Sequence, residues 1–186
     1  MKSEDLGTDL TSVVVTNEQI VARIAQIAIE VDSDYANREK PLLLVGVLKG
    51  AVMAMADLSR ALTIPVNMDY MAVSSYGSGT KSSGVVRIIK DLDIDLSGRD
   101  VLIVEDILDT GLTLSWLIKN LKSRSPRSVE VMTMFRKPDA VKIQVDAKYI
   151  GFDIPSDFVV GYGLDYNEQY RNLRDVAVLA PHVYSR

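Results

Sequence analysis

The sequence predicts an α/β fold: a central, mostly parallel sheet flanked by helices. Three observations lead there. Residues 42–48 (LLLVGVL), 101–104 (VLIV) and 129–135 (VEVMTMF) are nearly continuous apolar runs, the pattern of strands buried on both faces. Segments with apolar residues at helical spacing alternate with them, as in Ile20, Ile24, Ile27 and Val31, or in 114–121 (LSWLIKNL). Loops carrying charge or glycine follow the runs, where an open α/β sheet binds its ligands.

Size and charge narrow the class. A chain of 186 residues suits one α/β domain, 1–186, with a sizeable core. Hydrophobic residues are 47% and charged residues 25%, an ordinary balance outside membranes. A net charge of −4 argues against a non-specific nucleic-acid surface or an anionic membrane as partner. The absence of cysteine excludes disulfides and thiolate chemistry and fits a cytoplasmic setting. No apolar run approaches the ~20 residues that span a bilayer. The opening MKSEDLGTDL is acidic and lacks a signal-peptide core.

In chain order, residues 1–12 read as polar and loose, and 13–15 as a short strand. Thr16 or Asn17 caps a helix running to about Tyr35. Pro41 ends the next turn, and strand 42–48 follows. Lys49-Gly50 then opens a helix to about Leu62. Lys49 offers a cation to phosphate charge and Gly50 permits close backbone approach, although a solvated Lys and a Gly helix start would look the same. Residues 66–73 and 85–90 are strands around 74–84 (SSYGSGTKSSG), a Ser/Gly-rich loop that reads either as a hairpin tip or as a lid. Asp91, Asp93 and Asp95 are solvated turn residues, because the spacing lacks the glycine and terminal Glu of a calcium loop. Strands at 149–154, 158–160 and 176–179 complete the pattern. His182, the only histidine, has no acidic or nucleophilic partner nearby in sequence and reads as structural.

The chemistry concentrates after strand 101–104. Glu105 and Asp106 start an acidic loop that continues through Asp109, Thr110, Gly111, Leu112 and Thr113 into the next helix. Loop amides and the two hydroxyls suit an anion at a helix start. The carboxylates suit vicinal hydroxyls or a hard cation. A ligand with both a phosphate and a diol is a sugar phosphate. Acids before a helix also cap it, but three within five residues exceed what capping needs.

Residues 103–113, IVEDILDTGLT, resemble the phosphoribosyl-pyrophosphate (PRPP) signature of type I phosphoribosyltransferases. The Glu-Asp, two apolar residues, Asp-Thr-Gly form is similar to the 6-oxopurine branch, the hypoxanthine-guanine phosphoribosyltransferases. The likeness spans about residues 13–184. It implies a type I phosphoribosyltransferase fold, with a small hood and a flexible loop beside the sheet. It implies Mg2+-dependent transfer of a 5-phosphoribosyl group from PRPP to hypoxanthine or guanine, by a homodimer or homotetramer.

The resemblance also implies roles. Glu105 and Asp106 would hold the ribose hydroxyls, directly or through magnesium, and Asp109 would be the general base. Thr110, Gly111, Leu112 and Thr113 would bind the 5-phosphate. Leu112 stands where some members carry Lys, so amides and hydroxyls must suffice there. VLKGA is similar to the family's pyrophosphate loop, with Lys49 and Gly50 as contacts and a cis peptide expected at Leu48–Lys49. Arg171 would join them. Lys137 would donate to the purine 6-oxo group, because an ammonium only donates. Phe158 would stack on the base, Val159 would meet its edge, and Asp165 would serve magnesium and the base side. Ser75 and Tyr76 match the family's catalytic loop. A xanthine or pyrimidine transferase, or a PRPP-sensing nucleic-acid-binding regulator, remains as an alternative.

Overall fold

The computed structural model describes residues 1–75 and 86–185. A kinked 3-10 helix, Ser3–Asp9, leads into β1 (Leu10–Val15) and α1 (Asn17–Tyr35). Then come β2 (Leu42–Leu48), α2 (Val52–Ala61), β3 (Val66–Ser75) and β4 (Val86–Lys90). β5 (Asp100–Leu108), α3 (Leu112–Lys122), β6 (Ser128–Arg136) and β7 (Tyr149–Asp153) follow. The chain ends with β8 (Val159–Val160), β9 (Val176–Leu179) and a single helical turn, α4 (Pro181–Tyr184).

The large sheet has the order β4-β3-β2-β5-β6-β7 and is parallel except at β4. From β2 the chain crosses through α2 to β3 on one side. From β5 it crosses through α3 to β6 on the other. Strand order therefore reverses between β2 and β5, and a crevice opens beyond their carboxyl ends. A smaller antiparallel sheet, β1-β9-β8, forms the hood.

Alternation along the inner strands builds two core layers. Leu42 and Leu44 of β2 and Leu102 and Val104 of β5 pack under α1 and α2. Leu43, Val45, Val101 and Ile103 pack under α3. Ile20, Ile24, Ile27 and Val31 supply the buried face of α1, each adding roughly 1.5–3 kcal/mol by burial. Arg23 on the same helix donates to the Ile150 and Gly151 carbonyls and so covers part of the edge strand β7.

Three readings change. Residues 1–12 are not loose. Leu10 pairs with Leu179, Ser3 Oγ donates to Asp175 Oδ2 at 3.0 Å, and the Ala180 amide donates to the Asp9 carbonyl at 2.8 Å. Their partners come from the far end of the chain, so no local pattern reveals them. β5 does not end at Val104. It runs beside β6 to Leu108, so Glu105 and Asp106 lie within the strand and not in a loop. The alternation changes phase across these two acids: Val104 and Ile107, three residues apart, pack into the same layer. Asp91, Asp93 and Asp95 are exposed, as expected, and make surface contacts. Asp91 pairs with Arg124 at 2.7 Å, Asp93 with Lys90 at 3.2 Å, and Asp95 accepts from Ser97. Third, Ser74 and Ser75, expected in the loop 74–84, are the last two residues of β3; Tyr76 and the rest of that stretch lie outside the described residues.

Thr16 caps α1 through a reciprocal pair: its Oγ1 accepts from the Gln19 amide at 3.3 Å, and its own amide donates to Gln19 Oε1 at 2.8 Å. Thr16→Ala is expected to cost about 1 kcal/mol and to lower the melting temperature by roughly 2–4 °C. A thermal melt checks this, and an unchanged midpoint would contradict it.

Candidate active site

The crevice at the strand-order reversal is built by close backbone approach. The turn after β2 carries Lys49 and Gly50, and its Leu48–Lys49 peptide is cis. A Cβ on Gly50 would collide with the Asp106 carboxylate. A Cβ on Gly163, at φ +99°, would likewise collide with the Gly50 carbonyl oxygen. Three segments distant in sequence, 49–50, 105–106 and 161–171, are thus pressed together. No side chain larger than hydrogen fits at the two contact points.

The third segment is a chain of tight turns. Gly161 pairs with Leu164, and Tyr166 with Gln169. Tyr162, Asn167, Glu168 and Tyr170 all have positive φ. Tyr162 is buried, meets Phe135 edge to face, and donates its hydroxyl to Asp57 of α2 at 2.8 Å. Arg171 Nη1 donates to the Gly163 carbonyl at 2.8 Å, and Nη2 meets Asp165 at 2.8 Å and Glu168 at 3.3 Å. Lys49 Nζ meets the other oxygen of Glu168 at 2.8 Å. Sequence reasoning did not select Glu168, Tyr162 or Gly163, because their partners lie on other elements.

The stretch from Asp109 to Thr113 turns from β5 into α3. Asp109 is exposed. Thr110 Oγ1 accepts from the Leu112 amide at 3.5 Å, so this hydroxyl faces its own loop. The Thr110 carbonyl accepts from the Lys142 and Ile143 amides at 3.0 and 3.1 Å. Gly111, at φ +78°, is the N-cap residue, and a Cβ there would strike the Ile143 carbonyl. No side chain caps α3 at this position, so capping does not explain the acids. Leu112 and Thr113 are half-buried in the first turn.

Lys137 follows β6. Its amide donates to the Leu108 carbonyl at 3.0 Å, which sets it beside the end of β5. The residue is only 9% exposed, and among the described residues its ammonium has no hydrogen-bond partner. Phe158 is 41% exposed; Tyr184 of α4 stacks on it at 5.2 Å, and Tyr166 meets it edge to face at 5.8 Å. Val159 is buried and pairs with Val178.

The expected metal set of Glu105, Asp106 and Asp165 is not preassembled. Among the described residues no three acidic or imidazole side chains are grouped to hold a metal ion. Asp165 is held by Arg171 and by the Glu168 amide at 2.9 Å, while Asp106 lies on Gly50.

Glu105 Oε2 and Arg171 Nε are buried without partners. Burial pushes the Glu105 carboxyl well above its ordinary range, and the charge of Asp106 adds to the rise. Burial also pushes Asp106 up, to about 6, against the opposing pull of the Ile107 amide and Arg171. An acid raised on folding binds more protons in the native state between its unfolded value, 3.8, and about 6. Stability is therefore lost as the pH rises through that window. Asp106→Asn is expected to raise the melting temperature at pH 7.5 by roughly 4–8 °C and to change it little at pH 4. A lower melting temperature for the variant at pH 7.5 would contradict the assignment.

Comparison with known proteins agrees with this architecture. A family model described as a phosphoribosyl transferase domain matches residues 11–167. The chain is 59% identical over 180 residues to a hypoxanthine-guanine phosphoribosyltransferase of Mycobacterium tuberculosis, covering 95% of this chain and 89% of that one. It is 46% identical over 176 residues to the enzyme of the same description from Bacillus subtilis, covering 95% and 97%. A crystal structure of a hypoxanthine phosphoribosyltransferase from Staphylococcus aureus superposes with a TM-score of 0.93 at 44% identity, covering 99% of each chain. With that sheet order, that acid pair at its reversal point and relatives this close, the chain belongs to the phosphoribosyltransferase family, in its hypoxanthine-guanine branch.

Proposed function

We propose that this chain carries out purine salvage. It transfers the 5-phosphoribosyl group of PRPP to hypoxanthine or guanine and releases pyrophosphate. The observation that carries this reading is the close approach of Asp106, second of the two acids on β5, to Gly50 in the turn after β2, at the reversal point of the sheet. A diol-binding acid pair next to an anion-binding turn matches a sugar that carries a pyrophosphate.

In this reading Glu105 and Asp106 accept hydrogen bonds from the two ribose hydroxyls. The unpaired Glu105 Oε2 supports this, because a buried acceptor without a partner is costly until a donor arrives. Thr110, Gly111, Leu112 and Thr113 receive the 5-phosphate at the uncapped start of α3. Lys49, Gly50 and Arg171 receive the pyrophosphate. Lys137 donates to the 6-oxo group, Phe158 stacks on the ring, and Val159 and Asp165 bound the base. An ammonium with no acceptor of its own disfavours the 6-amino group of adenine.

Glycosidic bond formation joins a purine ring nitrogen to the anomeric carbon as the carbon–oxygen bond to pyrophosphate breaks. Asp109, exposed at the crevice, accepts the proton that the ring nitrogen loses. The donor set is all oxygen, which suits magnesium; that ion commonly binds through one or two carboxylates plus substrate phosphates. Glu105, Asp106 and Asp165 are the residues that would hold it, and when bound it supplies charge neutralisation to the leaving group. Assembly as a homodimer or homotetramer belongs to the same reading.

The test is pyrophosphate release from PRPP with magnesium, offering hypoxanthine, guanine, xanthine, adenine and uracil separately. Release is expected with hypoxanthine and guanine and not with adenine or uracil. Failure with every 6-oxopurine would overturn the proposal. Asp109→Asn is expected to keep PRPP binding and to lose roughly 100-fold in turnover. Turnover near that of the unaltered enzyme would remove Asp109 from the base role.

A further inference from the structure

Glu168 takes no part in the reading above, yet its carboxylate touches both cations assigned to pyrophosphate. Oε2 accepts from Lys49 Nζ at 2.8 Å, and Oε1 accepts from Arg171 Nη2 at 3.3 Å. The backbone that presents it is costly. Asn167 and Glu168 have φ of +52° and +64°, between the paired residues Tyr166 and Gln169. A two-residue turn with positive φ at both central positions favours Asn at the first and Gly at the second. Asn167 obeys that preference and Glu168 does not. A site that prefers glycine instead carries a carboxylate aimed at two cations, and strain held in this way marks function.

We propose that Glu168 is a built-in competitor for pyrophosphate. Its carboxylate occupies Lys49 and Arg171 in the unliganded enzyme and yields them when the pyrophosphate group binds. The inference rests on the assignment of those two cations to pyrophosphate. Carboxylate and phosphate oxygens accept the same charge-assisted hydrogen bonds from ammonium and guanidinium. A tethered anion lowers the fraction of sites free to bind, and so lowers apparent affinity by that fraction. It also retakes the cations as the product leaves, which favours release. The Lys49–Glu168 pair is open to water, with side chains 65% and 62% exposed. That contact is therefore weak, and the effect is a matter of several-fold.

The experiment is calorimetric titration of magnesium pyrophosphate into the unaltered enzyme and into Glu168→Gln, Glu168→Gly and Lys49→Ala, with pyrophosphate inhibition of the forward reaction measured alongside. Both Glu168 variants are expected to bind pyrophosphate roughly three- to tenfold more tightly and to be more strongly inhibited by it. Glu168→Gly is expected to melt no lower than the unaltered protein, because glycine is at ease in the left-handed region. Lys49→Ala is expected to bind pyrophosphate more weakly. If Lys49→Ala weakens binding while neither Glu168 variant tightens it, the competitor role is overturned and the pyrophosphate assignment stands. If Lys49→Ala leaves binding unchanged, the assignment itself falls and takes the competitor with it.

Discussion

Gly50 lies against the Asp106 carboxylate on one side, and its carbonyl lies against Gly163 on the other. These contacts are closer than any side chain permits. Because of them the turn after β2, the acid pair of β5 and the turns of 161–171 share one crevice. The Gly163 carbonyl in turn accepts from Arg171, and Arg171 holds Asp165. The arrangement of charge in the site therefore follows from backbone packing at two glycines.

That packing has an electrostatic cost. It leaves Glu105 and Asp106 half-buried at the end of β5, and that burial raises both carboxyls above the usual range. It also leaves Glu105 Oε2 and Arg171 Nε without partners. A few steps away, Lys49 and Glu168 remain in water and paired. The site thus has a half-buried acidic floor and an exposed cationic rim. A ligand that brings hydroxyls to the floor and negative charge to the rim satisfies both. Departures from ordinary structural preference gather here, including the run of positive φ values between Tyr162 and Tyr170.

The remainder of the fold is conventional and holds this region still. Two apolar layers clamp the sheet from both faces. The Tyr162–Asp57 hydrogen bond links the strained turns to α2, the helix that begins at the Lys49–Gly50 turn. Thr16 and Gln19 close the start of α1. On the far side of the sheet Asp69 accepts from the Asp93 and Ile94 amides and fixes the acidic turn before β5.

Local patterns determined much of this protein in advance. The apolar run of β2, the periodic face of α1 with its cap, and the strand–acid–glycine–helix order around Gly111 are all short-range signals. Each is set by neighbours a few residues away, so the sequence alone carries them. The motif at 103–113 marked the crevice for the same reason. Only the tertiary structure decided the rest. The order of strands, and hence the reversal between β2 and β5, depends on crossovers that no local period encodes. β5 runs past its acids because β6 offers a ladder beside them. The first residues are ordered by β9 and Asp175 from the other end of the chain. Lys137 is buried because it follows β6 beside Leu108. Lys49 meets Glu168 across a separation of 119 residues. Sequence spells out what adjacent residues prefer, and it is packing that brings distant charges within 3 Å of one another.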